Sequence, residues 1–274
     1  MALEVVNLWF WYREDTPVLR GVDLRVRRGE FVALVGANGS GKTTLVKHFN
    51  GLLRPQRGQV QVVGQDTAPR SVGQLARHVG YLFQHPEQQI FSSTVRQELA
   101  FGPHNLGLPS AQVEGRVEGA LSRFDLLAVA DQPPAILSYG LRRRVTLAAL
   151  AAMDPPILVL DEPAVGLDDR GRREAFGWLT ELRDRGRTIL LVTHDMTLVA
   201  EYAHRMVVLG RGQIMADGPP AELFRQTGIL TRAALAPPPV VSLSQGLQAH
   251  GLPGVTLTVE DFCAEYMVLV EGGT

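Results

Sequence analysis

A five-residue apolar run, Phe31-Val32-Ala33-Leu34-Val35, breaks into a glycine-rich turn and then into a helical pattern, and this stretch, Phe31 to Asn50 (FVALVGANGSGKTTLVKHFN), constrains the fold more than any other. The run is short and rich in β-branched or aromatic residues, which is how a strand buried on both faces reads. Gly36, Gly39 and Gly41 follow with little side-chain bulk, so consecutive backbone N–H groups can converge on one anion. Lys42 adds a mobile charge able to reach terminal phosphates, and Thr43 a hydroxyl placed to ligate Mg²⁺. The helix that starts here turns its positive dipole end toward the same ligand. The fixed positions of G-x-x-x-x-G-K-[ST] arise by chance in on the order of one in a hundred chains this long. With a strand directly before them, nucleoside triphosphate binding outweighs a plain surface turn.

Composition narrows the function classes. A chain of 274 residues has room for one large domain or a domain with an appendix, and 45% hydrophobic content excludes a disordered or collagen-like chain. A formal net charge of −1 gives no general pull toward nucleic acid, which is not expected as a partner. The single cysteine, Cys263, excludes an intrachain disulfide, leaves a cysteine-based zinc site unsupported and fits a reducing compartment. No leader segment is expected, and no apolar run approaches the roughly 20 residues of a membrane span. The longest, Val145 to Met153, fits a buried helix. A role at a membrane would need another chain to cross it.

In chain order, Leu3 to Trp11 reads as a strand entering a hairpin through Glu14-Asp15-Thr16-Pro17. Most of Trp9, Phe10, Trp11 and Tyr12 are expected in the sheet core, while one of them can stack on a nucleobase. Val22 to Val26 alternates in polarity, which predicts an antiparallel meander that Gln59 to Val63 and Val79 to Phe83 continue. The helix after Lys42 is expected to end at Arg54-Pro55. Gln84 opens a polar loop, where its amide can ligate Mg²⁺ or stay a plain loop amide. From Thr94 to Met153 the pattern is helical, with Ser110 placed to cap one helix and Ser138 preceding another. Arg142, Arg143 and Arg144 point in different directions on that second helix, which predicts three solvated side chains.

Ile157 to Leu160 is a buried strand ending on Asp161 and Glu162. In a phosphate-loop protein such an Asp makes a second Mg²⁺ contact, generally through water, and the adjacent Glu can accept a proton from attacking water. Thr188 to Val192 is another apolar strand, ending at Thr193-His194-Asp195, where the imidazole can hold a terminal phosphate or cap the next helix. Val207 to Leu209 and Gln213 to Ala216 read as a hairpin, and Ala236-Pro237-Pro238-Pro239 as a stiff linker to a small tail.

Over about residues 3 to 226 this order of features resembles the ATPase subunit of ATP-binding cassette (ABC) transporters. The resemblance implies an α/β P-loop NTPase (RecA-like) fold: a parallel core, an antiparallel β subdomain and an α-helical signature subdomain at about 94–153, within a nucleotide-binding domain of residues 1–230. A proline-linked C-terminal extension, 231–274, follows. It implies that Gly36, Ala37, Asn38, Gly39, Ser40, Gly41, Lys42 and Thr43 are Walker A, with Thr44 also on the ATP. Leu158 to Pro163 would be Walker B with Glu162 as catalytic base, Gln84 the Q-loop glutamine, Val165 to Asp168 the D-loop, and His194 the switch histidine. Glu162, His194 and Lys42 are then the catalytic set, and Thr43, Gln84 and Asp161 hold Mg²⁺ as the sole metal. Tyr12 is similar in position to the aromatic that stacks on adenine, with Phe10 and Trp11 as alternatives.

Phe83 to Val95 and Phe101 to Pro109 further resemble the energy-coupling-factor importers and their cobalt or nickel relatives. That likeness implies a peripheral ATPase on the cytoplasmic face of the cell membrane, paired with a second ATPase subunit, a transmembrane coupling component and a substrate-capture membrane protein, for uptake of a vitamin or metal ion. The rivals are an ABC ATPase acting on nucleic acid or ribosomes, and a weakly active regulatory partner in a heterodimer. One motif departs from the family: the signature LSGGQ reads LSYGL here, with Ser138 and Gly140 kept, Tyr139 in place of glycine and Leu141 in place of glutamine. Tyr139 is expected to crowd a position chosen for a small residue, weakening the composite site that Ser138 completes.

Overall fold

The computed structural model describes residues 1–271. Its strands are β1 (Leu3–Trp11), β2 (Pro17–Val26), β3 (Phe31–Val35), β4 (Arg57–Val62), β5 (Gln65–Asp66), β6 (Val79–Leu82), β7 (Ile157–Asp161), β8 (Thr188–Val192), β9 (Arg205–Gly210) and β10 (Gln213–Gly218). The helices are α1 (Lys42–Val46), α2 (Val72–Leu75), α3 (Val95–Asn105), α4 (Ser110–Arg123), α5 (Tyr139–Met153), α6 (Asp169–Asp184), α7 (Met196–Tyr202), α8 (Pro220–Arg225), α9 (Thr227–Arg232), α10 (Pro239–Gly246) and α11 (Val259–Glu271).

Two sheets form. One is antiparallel in the order β2-β1-β4-β5, and the other runs β10-β9-β3-β8-β7-β6, parallel except for the antiparallel β10. The fold is thus the α/β architecture expected. Every residue of β3, β7 and β8 is buried, and alternation divides them between two cores. Phe31, Ala33 and Val35 face the core shared with α3 to α7, whereas Val32 and Leu34 face the antiparallel sheet and α1. Each Val, Leu or Phe side chain among them contributes roughly 1.5–3 kcal/mol on burial, which is why short apolar runs suffice to fix the centre of the molecule.

Several expectations change. Val79–Leu82 does not continue the antiparallel meander; it pairs in parallel with β7 at the edge of the other sheet. The helix after Lys42 is regular only to Val46 and then tightens into turns. His48 explains this: its Nδ1 takes the Thr44 carbonyl at 2.8 Å, and its own N–H bonds instead to Leu45 O at 3.2 Å. Pro109, not Ser110, is the cap position of α4, and Ser110 is its first residue. The segment Ala236–Pro239 does not stand off as a spacer, because Val241 just beyond it is wholly buried in the α3–α7 core and Gln245 donates to Phe224 O at 3.0 Å. No helix among the described residues is long and apolar enough to cross a membrane.

Candidate functional site

Parallel register sets the carboxyl ends of the central strands level. Leu34 pairs with Val192, Asp161 with Val192 and Leu82 with Leu160, so the residues that follow β3, β6, β7 and β8 emerge at one edge. A cavity of about 500 Å³ opens there, lined by Tyr12, Asn38, Gly39, Gly41, Lys42, Thr43, Thr44, Gln84, Asp161 and Glu162 among others. An adjoining cavity of about 560 Å³ takes in Gly36, Ala37, Asn38 and His194 together with the proline segment.

The turn after β3 fits only a residue without a side chain at its first position. A Cβ on Gly36 would stand 2.1 Å from the Leu209 carbonyl oxygen and 2.8 Å from Ser40 Oγ. Lys42 folds back over this turn, donating from Nζ to Gly36 O at 2.7 Å and Ala37 O at 3.1 Å. Burial pulls its pKa below the ordinary lysine value, and the nearby Glu162 and Asp161 carboxylates oppose that shift. The ammonium is thus partly desolvated and held by neutral carbonyls that a phosphate can replace, which suits it to a phosphate.

Next to it, the Thr43 hydroxyl donates to Asp161 Oδ2 at 2.7 Å. Asp161 is almost wholly buried, and burial raises its pKa above the usual carboxylate value while the Thr43 hydrogen bond opposes this. The Tyr81 hydroxyl lies 3.5 Å from the same oxygen. Thr43, Asp161 and Gln84 are hard oxygen donors around one space, a donor set that fits Mg²⁺. No group of three or more His, Cys, Asp and Glu side chains among the described residues could hold a metal ion alone, so the phosphates would have to complete the coordination.

Glu162 departs from the strand with φ of +51°, uncommon for a residue bearing a side chain. Its N–H stays tied to Val192 O at 2.9 Å, and its carboxylate is held twice. The Thr193 hydroxyl donates to Oε2 at 3.1 Å, and His194 Nδ1–H donates to Oε1 at 2.6 Å. The His194 side chain remains 63% exposed, so its far edge is free to meet a ligand. Asp195 rather than His194 caps α7, accepting from Thr197 N at 3.0 Å. Tyr12 lies on the cavity rim with its hydroxyl 3.3 Å from Thr44 Oγ1. Phe10 is buried beneath it, edge-on at 5.0 Å, and Trp11 lies under the Arg57 guanidinium.

The other sequence-derived residues stand apart. Ser138 caps α5, its Oγ accepting from Leu141 N at 3.3 Å, and neither it nor Tyr139 or Gly140 lines the two cavities. Asp168 caps α6, accepting from Gly171 N at 2.7 Å and from Arg144 at 3.2 Å, contacts that hold its carboxyl below the usual pKa. The expectation of three solvated arginines is wrong. Arg143 is wholly buried, and Arg144 is engaged by Asp168, Glu174 and Asp125. Arg143, Leu147 and Leu150 fall on one i, i+4, i+7 stripe of α5, the signal that could have placed Arg143 inside. Sequence reasoning also missed Tyr81 and His48.

The sequence profile of the ABC transporter family matches residues 19–165. The energy-coupling factor transporter ATP-binding protein EcfA of Methanothermobacter thermautotrophicus is 39% identical over 98% of this chain and 88% of its own length. The protein of the same name from Methanocaldococcus jannaschii is 41% identical over 88% of this chain and 87% of its own. Among solved structures, cbiO1 from Clostridium perfringens, part of the ABC transporter complex cbiONQ, superposes with a TM-score of 0.72 at 34% identity, covering 84% of this chain and 93% of that one.

Proposed function

The chain belongs to the ABC transporter family and is an ATPase of that family, and from this premise we propose that it is the ATP-hydrolysing subunit of an energy-coupling-factor importer. In that role it would lie on the cytoplasmic face of the cell membrane, paired with a second ATPase subunit and docked on a transmembrane coupling component with a substrate-capture protein. The cargo is a micronutrient, a vitamin or a transition metal ion such as cobalt or nickel. Residues 1–230 form the nucleotide-binding domain, and 231–274 an extension.

The observation that carries the reading is the doubly held Glu162 carboxylate across the cavity from Lys42 and the Thr43–Asp161 pair. Backbone N–H groups from Gly36 to Thr43 receive the phosphates, and Tyr12 stacks on the adenine. Lys42 exchanges the Gly36 and Ala37 carbonyls for the β- and γ-phosphates. Thr43, Asp161 and Gln84 would hold Mg²⁺, which would supply charge neutralisation on those phosphates. Glu162 takes the proton of the attacking water, oriented by Thr193, while His194 holds its second oxygen and turns its exposed edge to the γ-phosphate. The site is complete when a partner's signature segment closes over it.

LSYGL supports a second, compatible reading. The signature segment lent to the partner lacks the side-chain amide that Leu141 replaces, so the composite site built on Ser138 is the weaker one and a heterodimer suits this chain better than a homodimer. An uptake assay with the assembled importer tests the main reading. Uptake should vanish with Glu162→Gln while ATP still binds; a chain that captures RNA or ribosomes and supports no uptake belongs to the nucleic-acid class instead.

A further inference from the structure

The wholly buried Arg143 has no role in the chemistry above, and a buried cation must be compensated. No carboxylate lies within ion-pairing distance of it among the described residues. It is held instead by carbonyls from two loops distant in sequence. Nη1 donates to Phe83 O at 2.7 Å and Nη2 to Gln84 O, both in the loop that brings Gln84 to the nucleotide cavity. Nε donates to Val165 O at 3.3 Å, in the turn that leads to Asp168.

Tyr139, one helical turn before it on α5, closes over this cluster. Its hydroxyl lies 3.5 Å from Arg143 Nη2, and the guanidinium stands 6.0 Å from the ring centroid. The ring also rests on Gly166. A Cβ there would come within 2.2 Å of Tyr139 Cδ1, and φ of +82° independently favours glycine. The tyrosine in place of the signature glycine is therefore turned into its own chain, and the crowding expected from the sequence does not fall on the face that Ser138 presents.

We infer that Arg143, seated beneath Tyr139, is a positioning residue that ties the Gln84 loop and the Val165–Asp168 turn to the Ser138 segment. One side chain then sets both where Gln84 sits at this chain's nucleotide and where Ser138 sits for the partner's. The catalytic consequence rests on the ATPase reading above, but the tie itself does not.

Amide hydrogen exchange on the purified full chain, without nucleotide or partner, tests the tie separately from transport or turnover. With Arg143→Met, exchange in residues 83–89 and 165–168 should quicken about 10-fold or more while β3 and α1 keep their protection, and Arg143→Lys should restore part of it. Tyr139→Ala should give the same pattern at roughly 3-fold, and Tyr139→Phe less. In the assembled ATPase, kcat should fall by about 10-fold with Arg143→Met while the KM for ATP changes less than about 3-fold. Exchange unchanged in both loops, or raised equally throughout the chain, overturns the proposal. If Arg143→Met does not fold, Tyr139→Ala decides by the same two readouts. A normal exchange pattern in a chain that proves to serve no importer would contradict both readings, whereas selective loosening in such a chain would leave the tie standing and remove only the importer.

Discussion

The carboxyl edge of the parallel sheet and the tip of α5, which the proposed function makes two halves of one reaction, are built by different means. At the sheet edge, fully buried strands bring Lys42, Thr43, Asp161, Glu162 and His194 together with side-chain contacts of 2.6–3.1 Å already made. At the tip, Ser138 stands exposed on a single cap bond and is steadied from behind by Tyr139 and Arg143. On the proposed reading the first half holds its own chemistry, while the second is an offering to another chain and carries Tyr139 and Leu141 where the family signature has glycine and glutamine. A chain can thus keep a complete catalytic edge and lend an altered signature, and the two should respond differently to substitution.

The largest effect is expected at the sheet edge. Glu162→Gln removes the proton acceptor but keeps shape and neutral hydrogen bonding, so turnover should fall by about 10²–10⁴-fold with ATP binding retained. Steady-state hydrolysis beside a nucleotide-binding titration checks this, and undiminished turnover would move the base elsewhere. Tyr12→Ala should come next, raising the KM for ATP by roughly 10-fold with little change in kcat, as loss of a base-stacking ring does. If Phe10→Leu had that effect instead, the stacking aromatic would be misassigned.

At the tip the sign reverses. Leu141→Gln restores the amide of the family signature, so turnover of the purified chain should rise by about 3-fold or more without a change in ATP affinity. A neutral result would equalise the two halves. The smallest effect concerns the packing beneath Tyr12, where His48 is wholly buried edge-on to Phe10 and its Nε2 finds no polar partner among the described residues. Burial pushes its pKa below the ordinary imidazole value. The unfolded chain therefore takes up a proton on acidification that the native chain refuses. His48 costs nothing above about pH 6.5, and stability falls as pH drops below that, by at most about 1.4 kcal/mol per pH unit for one proton. Thermal melts from pH 7.5 to 5 should show that loss in the parent and a shallower one in His48→Asn.

What the sequence made legible was what consecutive residues decide. The strand, glycine turn and helix of Phe31 to Asn50 lie within one segment, and Asp161-Glu162 at a strand end gains meaning once that segment is read. Arg143 was opaque because its partners come from 60, 59 and 22 residues away, and three adjacent arginines look like solvent-facing charge until those carbonyls are in place. The sheet that takes Val79–Leu82 is hidden for the same reason: an apolar strand carries no mark of whether its neighbour is β4 or β7. The end of α1 hung on one side chain, His48, competing for a backbone carbonyl, which periodicity does not register.

The inequality of the two halves is tested most directly by counting hydrolysis at one site at a time. The purified chain is assayed alone, then mixed with a partner ATPase that carries LSGGQ and has its own Walker B glutamate changed to glutamine, so that turnover reports only the site built on Lys42 and Glu162. Alone the chain should hydrolyse ATP slowly and without cooperativity, and mixing should raise turnover by about 10-fold, a gain that Glu162→Gln in this chain abolishes. Robust, cooperative hydrolysis by the chain alone, or no gain on mixing, would contradict it.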